Sequence, residues 1–542
     1  MCGFVLSVND PSKSLESALF DLRHRGPDSL GTLNIGPINS GFVRLSIVDP
    51  QLRSDQPMKD KSGRFAILFN GEIYNFKDLK KYLTSQGLSF VTESDTEVLL
   101  TGLILEGKSF LQKVNGIYAF SLCNLLTGEI HIARDPLGVK PLYFSINNKK
   151  SYVCSELRPL AKLLNKSIDI DGLLSYGSFG YVNSHSIFKE IEELPPNTFV
   201  SILDGNIISK SPIIHFSYGG DCKANFDEIS NLINASMDEQ IPDVPFGIMY
   251  SGGLDSTLIL DKCIKEDRPP NVYSVVINDL SMSEEKWQDQ GLAALGINSN
   301  NVTKIVMDSD KLGIEFIKKI NQNLDYPIFH PNFIGSMLLS SEAKNNGLKV
   351  LLSGEGADEV FRGYKWFFNG ALPDEYMEYV PYRSLLNIFN SKELVINKYA
   401  QLSKLEIFQK YYIRRWLLRQ DMTGMANSIE IRVPFLSLPL VNYMNSLNEE
   451  SFQDINYAKW PIKKILKAKF SDEFINRKKI GFDLPLNLWI TKEHIQYIIE
   501  ENKGLIDTKA FLKVMNDLNG TYTKNRLIFS LVSILTWLDS FE

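Results

Sequence analysis

Five apolar or small residues, Phe246-Gly247-Ile248-Met249-Tyr250, run straight into Ser251-Gly252-Gly253-Leu254-Asp255-Ser256, and helix-forming sequence begins at once. An apolar run without alternation belongs to a strand buried on both faces, and a strand feeding directly into a helix belongs to a crossover unit. Runs at 273–277, 302–307 and 348–352 alternate with helical segments in the same way. Repeated β-α-β units call for a parallel, doubly wound sheet. From about residue 384 to the end the pattern is mostly helical. The first 200 residues read differently. Short β-type runs at 3–8, 65–69, 118–123 and 131–133 are split by Gly, Asn, Asp and Pro turns, with helical patterns near 14–24, 76–86 and 96–106. That is an antiparallel α+β pattern. The stretch 204–221 has little periodicity and carries Gly205, Pro212, Gly219 and Gly220. The expected organisation is therefore a domain over 1–205, a linker over 206–224 and a second domain over 225–542.

Composition narrows the function classes. A chain of 542 residues exceeds one domain of roughly 100–200 residues. With 44% hydrophobic and 23% charged residues it is not a disordered chain, and a net charge of −6 leaves no basic excess for nucleic acid or an anionic membrane. The five cysteines are scattered, with no metal-type spacing, so a reducing, cytoplasmic setting is expected. The longest apolar run, 527–538, falls short of the roughly 20 residues of a bilayer span and reads as a buried helix. The Met-Cys-Gly start has no basic segment of a signal peptide.

Cys2 follows the initiator Met. Removal of Met1 would give Cys2 a free α-amine with a reference pKa of about 7.7–8.0, so one residue could supply both nucleophile and base. A thiol that cleaves an amide needs an oxyanion hole, which an Asn side chain and a Gly backbone N–H can build, as at Asn70-Gly71. A glutamine substrate needs a cation for its α-carboxylate, which Arg44 can supply at what reads as a strand start. It also needs carboxylates for its α-ammonium, which Glu72 and Asp95 can supply. Each segment has a plainer reading, Asn70-Gly71 as a hairpin turn and Ser94-Asp95 as a helix cap. Taken in order, MCGFVLS, LRHRGPDSLG, RLSIVD, FNGEIYNF, ESDTEV, NGIYAF and ARDPLGVKPLYF resemble the glutaminase domain of class II glutamine amidotransferases. The resemblance implies an N-terminal nucleophile sandwich with Cys2 as nucleophile and Asn70 and Gly71 as the oxyanion hole. It implies glutamine contacts from Arg44, Leu45, Ser46, Ile47, Val48, Asn70, Gly71, Glu72 and Asp95. His24 and Arg25 match a motif taken to order the active-site loop.

In the second domain, the small residues Ser251, Gly252 and Gly253 and the hydroxyl of Ser256 stand at a strand–helix junction, where backbone N–H groups and the helix N-terminus can hold phosphate oxygens. A second motif, Ser353-Gly354-Glu355-Gly356-Ala357-Asp358-Glu359, also follows an apolar strand and should reach the same sheet edge. Three acids beside a phosphate site make sense with Mg²⁺. Further on lie Met425 to Leu436, the basic run Lys463-Lys464 and the segment Arg477-Lys478-Lys479-Ile480-Gly481-Phe482. A lysine pair alone is an ordinary solvated helix face. Together these segments resemble an ATP-pyrophosphatase domain of the glutamine-hydrolysing asparagine synthetase family. The resemblance implies Asp255 and Asp358 as Mg²⁺–pyrophosphate acids, Lys463 as a pyrophosphate contact, Met249, Val276, Ser353 and Gly354 as ATP-site lining, and Glu355 as the residue of adenylate formation and amidation.

The implied reaction hydrolyses glutamine at Cys2 and passes ammonia to a carboxylate adenylated by ATP, releasing AMP and pyrophosphate. Aspartate is the first choice of acceptor. Departures leave that choice open: Pro434-Phe435-Leu436-Ser437 replaces a common PFLD, Asp421 to Ala426 replaces DRMSMA, and 325–332 also differs. A sugar acid, as in surface-polysaccharide synthesis, a secondary metabolite or a peptide carboxylate is the enzyme alternative. A silent glutamine- or nucleotide-binding regulator is the non-enzyme alternative. A homodimer is left open.

Overall fold

The computed structural model describes residues 2–182, 185–278, 283–368, 380–391, 402–452, 455–477, 484–502, 504–518 and 521–541. Residues 478–482 of the last basic segment, and Met1, lie outside the described residues.

The first domain is two antiparallel sheets face to face. One runs, edge to edge, Glu192–Glu193, Tyr143–Asn147, Lys150–Cys154, Cys2–Val8, Ile38–Arg44 and Ser29–Ile35. The other runs Asn206–Pro212, Thr198–Leu203, Ile130–Arg134, Gly116–Asn124, Phe65–Ile73 and Met58–Lys59. Every residue of Cys2–Val8 is buried. Phe4 and Leu6 face Ala66, Leu68 and Ala119 across the gap, while Val5 packs outward with Leu19 and Leu160. Helices Phe76–Ser85 and Asp95–Glu106 cover the outer face of the second sheet through Leu83, Leu99 and Leu103. This is the expected antiparallel sandwich with helices outside. Hydrogen bonding continues past the expected boundary, because Asn206–Pro212 pairs with Thr198–Leu203. Arg44 ends a strand rather than starting one, and residues 45–49 turn away as a loop.

The second domain is built on a parallel sheet in the order Val302–Met307, Asn271–Ile277, Phe246–Met249, Val350–Leu352, Glu430–Arg432. Helices such as Leu254–Lys265 and Asn332–Asn345 make the crossovers, and the C-terminal part is helical. The apolar run at 527–538 sits in helix Thr521–Asp539, where Trp537 is fully buried and packs on Phe188 of the first domain, ring centroids 6.0 Å apart. Among the described residues no helix is long and apolar enough to cross a membrane. Glu430–Arg432 lies in the stretch that reads mostly helical, yet it is an edge strand, paired in parallel with Val350–Leu352.

Buried charges fasten the domains together. The Arg25 guanidinium donates to Glu156 at 2.9 Å and to Asp421 at 2.8 Å, and Lys140 Nζ reaches Asp421 at 3.5 Å. The side chains of Arg25, Lys140 and Asp421 are at most 2% exposed. Removing one partner of such a buried set costs about 3–5 kcal/mol, because the others stay buried and charged. Asp325 accepts from the backbone N–H groups of Leu157 and Arg158, each at 2.8 Å, so its carboxylate closes this interface.

Candidate active sites

Cys2 is pinned from both sides. Its backbone N–H donates to Asn70 Oδ1 at 3.1 Å, and its carbonyl accepts from Arg25 Nε at 2.9 Å. His24 Nε2 meets Glu156 at 2.9 Å, so the His24-Arg25 pair orders the strand that carries Cys2. Burial pushes the Cys2 thiol above its ordinary value, against the Leu45 backbone N–H and the Arg44 guanidinium. Such a thiol attacks only when a base takes its proton.

Asn70 lies within strand Phe65–Ile73 opposite Ala119. Its Oδ1 is spent on Cys2, but its Nδ2 is buried and has no hydrogen-bond partner among the described residues. A buried amide donor left unpaired beside a thiol is costly unless a ligand oxygen meets it. Gly71 must be glycine, since a Cβ there would lie 2.1 Å from the Ile117 carbonyl oxygen.

Cys2 and Gly71 line a cavity of about 370 Å³, mouth included, together with Arg44, Glu72, Asp95 and Glu430. Leu45, Ile47 and Val48 line it too. Ser46 is tied elsewhere: its N–H donates to Asp28 at 2.7 Å and its carbonyl accepts from Lys349 at 3.1 Å. The Arg44 guanidinium wraps its own loop, donating to Asp55 at 2.7 Å and to the carbonyls of Val48 and Asp49 at 3.2 and 2.6 Å. It thereby shapes the wall as well as charging it.

Three acids line the cavity. Asp95 opens its helix and accepts from the Ile73 N–H at 3.0 Å; burial pushes its carboxyl up to about 6. Burial also raises Glu72, which pairs with Arg432 of the parallel sheet. Burial works against the charge of Glu430 as well, and nearby cations, Arg432 among them, overcome it and hold Glu430 ionised. Arg432 Nε meets Glu430 Oε1 at 2.6 Å.

The second site lies at the C-terminal edge of the parallel sheet. Ser251, Gly252, Gly253 and Ser256 form a tight turn in which Gly253 N–H donates to Ser251 Oγ at 3.2 Å and Ser256 Oγ donates to the Gly253 carbonyl at 3.2 Å. The turn sits on the N-terminus of helix Leu254–Lys265. Met249 ends the preceding strand and Val276 lies in its neighbour, Asn271–Ile277. The second loop touches the first, since a Cβ on Gly354 would lie 2.9 Å from Asp255 Cβ. Glu355 is held by Arg419 and, at 2.9 Å, by Gln420 Nε2; that amide also donates to Ser353 Oγ at 3.0 Å. Beyond Arg419 lies a cationic region. Burial and then Arg526, Arg419 and Arg415 hold His330 well below its usual range.

Asp255 and Asp358 converge on one cation, Lys459, whose Nζ is 2.7 Å from the first and 2.6 Å from the second. Lys459 was not anticipated. Lys463 sits one turn further on, its Nζ donating to the Asn456 carbonyl at 3.3 Å. The clue was Pro461, which belongs in the first turn of a helix and so puts Lys459 at the cap beside the motif loops. Two carboxylates meeting at one cation suit a Mg²⁺ that brings phosphate oxygens as its other ligands. Among the described residues no group of three or more His, Cys, Asp or Glu forms a self-sufficient metal site. Glu359, the third acid of the motif, is pushed up to about 8 by burial and by its neighbours Asp358 and Glu355.

A buried thiol beside an unpaired amide donor, joined through buried ion pairs to a parallel-sheet domain with a Gly-rich strand–helix loop, is the arrangement of a glutamine-dependent ligase of two domains. Residues 1–212 match the glutamine amidotransferase domain family, and residues 228–539 match the asparagine synthase family. The chain belongs to the asparagine synthase family. It is 29% identical to asparagine synthetase [glutamine-hydrolyzing] 1 of Bacillus subtilis, over 99% of this chain and 96% of that protein. It is 26% identical to asparagine synthetase [glutamine-hydrolyzing] 3 of the same organism, over 100% and 99%. It is 28% identical to an asparagine synthetase [glutamine-hydrolyzing] of Sandersonia aurantiaca, over 87% and 83%.

Proposed function

We propose that the chain transfers the amide nitrogen of glutamine to aspartate, with cleavage of ATP to AMP and pyrophosphate. The observation that carries this reading is the Cys2–Asn70 arrangement, a nucleophile whose neighbour keeps one buried amide donor unspent. After loss of Met1, the Cys2 nitrogen that Asn70 holds is the α-amine that takes the thiol proton. Sulfur adds to the amide carbon of glutamine, and Asn70 Nδ2 and the Gly71 N–H receive the oxyanion. The C–N bond then breaks with the proton passing to nitrogen, ammonia leaves, and water hydrolyses the thioester to glutamate.

At the sheet edge, the acceptor carboxylate attacks the α-phosphorus of ATP and pyrophosphate departs from the Ser251–Ser256 turn. Asp255 and Asp358 are the residues that would hold Mg²⁺, whose charge offsets that of the leaving pyrophosphate. Glu355, fixed by Arg419 and Gln420, takes a proton as ammonia attacks the adenylate, and AMP leaves. Aspartate suits the cationic region around His330, because its α-carboxylate adds a second negative charge. Five unpaired cysteines support a reducing, cytoplasmic setting.

The test supplies purified full-length protein with glutamine, ATP and a panel of carboxylates, and measures amide product and nucleotide together. Asparagine and AMP in equal amounts are expected with aspartate. Turnover with a sugar acid or peptide carboxylate but not aspartate would reassign the acceptor, and ADP in place of AMP would overturn the adenylate route.

A further inference from the structure

We propose that Glu430, a residue of the synthetase sheet, is a recognition group for the α-ammonium of glutamine, and that Arg432 on the same strand positions Glu72 for that task. The proposal rests on the reading of the Cys2 cavity as the glutamine pocket.

Neither residue belongs to the glutaminase domain, and neither was singled out for glutamine in the sequence. Glu430 nonetheless lines the cavity together with Cys2, Glu72 and Asp95. Arg432 stands behind them and is fixed by four contacts. Its Nε donates to Glu430 at 2.6 Å, one Nη pairs with Glu72, the other donates to the Gln240 carbonyl at 2.9 Å, and the Tyr74 ring lies 5.9 Å from its centre. Glu430 and Arg432 are each only 1% exposed, so water screens little of this charge.

The gathering of acids around the thiol points to a ligand. Three acidic side chains, Glu72, Asp95 and Glu430, line the cavity with Cys2, and the Arg432 guanidinium meets two of them, Glu72 and Glu430. A primary ammonium has three N–H donors to share among acids that line one cavity. An amino acid with its α-ammonium toward these acids and its side-chain amide toward Cys2 uses both the acids and the thiol. A purely structural role, a lock between domains, would need Arg432 and one acid but not an acid facing the cavity. The strand also ties the pocket to the other site, because the Arg432 carbonyl accepts from the Ser353 N–H at 2.9 Å.

The test uses full-length protein and two ligands. L-glutamine carries the α-ammonium; glutaramate, the same molecule without the amino group, does not. Glu430→Gln keeps size and removes charge. The expected result is a KM for glutamine raised at least tenfold, a smaller change in kcat, and a Ki for glutaramate against glutamine within about threefold of the unaltered protein's. Equal loss on both ligands, or no loss on either, overturns the proposal. If the Gln variant does not fold, Glu430→Asp serves: its shorter carboxylate should raise the glutamine KM while sparing the glutaramate Ki, and an unchanged ratio overturns the proposal. A Cys2→Ala arm separates the underlying reading. If Cys2→Ala still hydrolyses glutamine, the pocket reading and the proposal both fall; if hydrolysis is lost and Glu430→Gln leaves the ratio unchanged, only the proposal falls.

Discussion

Around Cys2 the candidate catalytic groups stand on strands. Cys2, Asn70, Gly71 and Glu72 each sit in a ladder with partners fixed residue by residue, as in Cys2 opposite Arg44 and Asn70 opposite Ala119. At the edge of the parallel sheet they stand on loops just beyond strand ends, at 251–253 and 353–356. The two regions also treat their charges differently. The pocket leaves Asn70 Nδ2 unspent and holds two acids, Glu72 and Glu430, on Arg432, so its polar groups stand in fixed positions before any ligand arrives. The edge satisfies Asp255 and Asp358 internally through Lys459, so the proposed phosphate and metal would rearrange that contact as they arrive. Strand-borne preorganisation suits a reaction whose charge appears only in the transition state, and loop-borne adaptability suits a large polyanionic substrate that comes and goes.

The sharpest way to break this comparison is to remove one site and watch the other. Cys2→Ala should lower glutamine hydrolysis by about three orders of magnitude or more, since Cys2 carries the one thiol among the described residues that line the cavity. Amidation driven by free ammonia should continue, because that chemistry sits on other strands. Loss of both activities together would mean that the two regions are one site.

The converse is next in size. Asp255→Asn keeps the shape of the side chain but weakens the carboxylate pair that faces Lys459. AMP formation should fall by about a hundredfold, and glutamine hydrolysis should stay within a few fold. Near-normal AMP formation would remove Asp255 from the phosphate site and undo the loop side of the comparison.

What could be read in advance follows the same division. The Cys2 strand, Asn70-Gly71 and the 251–256 turn were legible because each is a short contiguous motif. Glu430–Arg432 was not. Three residues are too few to display an alternation, the surrounding text is helical, and the strand exists because Val350–Leu352 offers it an edge. Lys459 was missed for a related reason, since its partners Asp255 and Asp358 lie 204 and 101 positions away. Asn206–Pro212 escaped notice because it is an almost wholly exposed edge strand, so no buried face imposes a pattern. Ser46 shows the reverse limit: a motif named it, but its backbone is bound to Asp28 and Lys349 rather than turned to the cavity.

The smallest expected effect concerns pH at the strand-borne site. Burial holds the Asp95 carboxyl at about 6 in the free pocket. An α-ammonium binds the ionised carboxylate, so protonation competes with glutamine. Asp95 is charged above pH 6, and the KM for glutamine should be flat there as far as this group decides it. At pH 6 half the molecules carry a neutral Asp95, which doubles the apparent KM, and below that the KM should climb toward tenfold per pH unit. The α-amine of Cys2 acts with the opposite visibility: its reference pKa of about 7.7–8.0 governs proton removal from the thiol, so it shapes kcat rather than KM. Initial rates from pH 5.5 to 8.5 separate the two. In Asp95→Asn the KM should be higher throughout and should lose the rise near pH 6, while the kcat profile keeps its form. A KM flat from pH 5.5 to 7.5 in the unaltered protein, or an inflection near 6 that survives in Asp95→Asn, would take Asp95 out of glutamine recognition and leave that end of the pocket to Glu72 and Glu430.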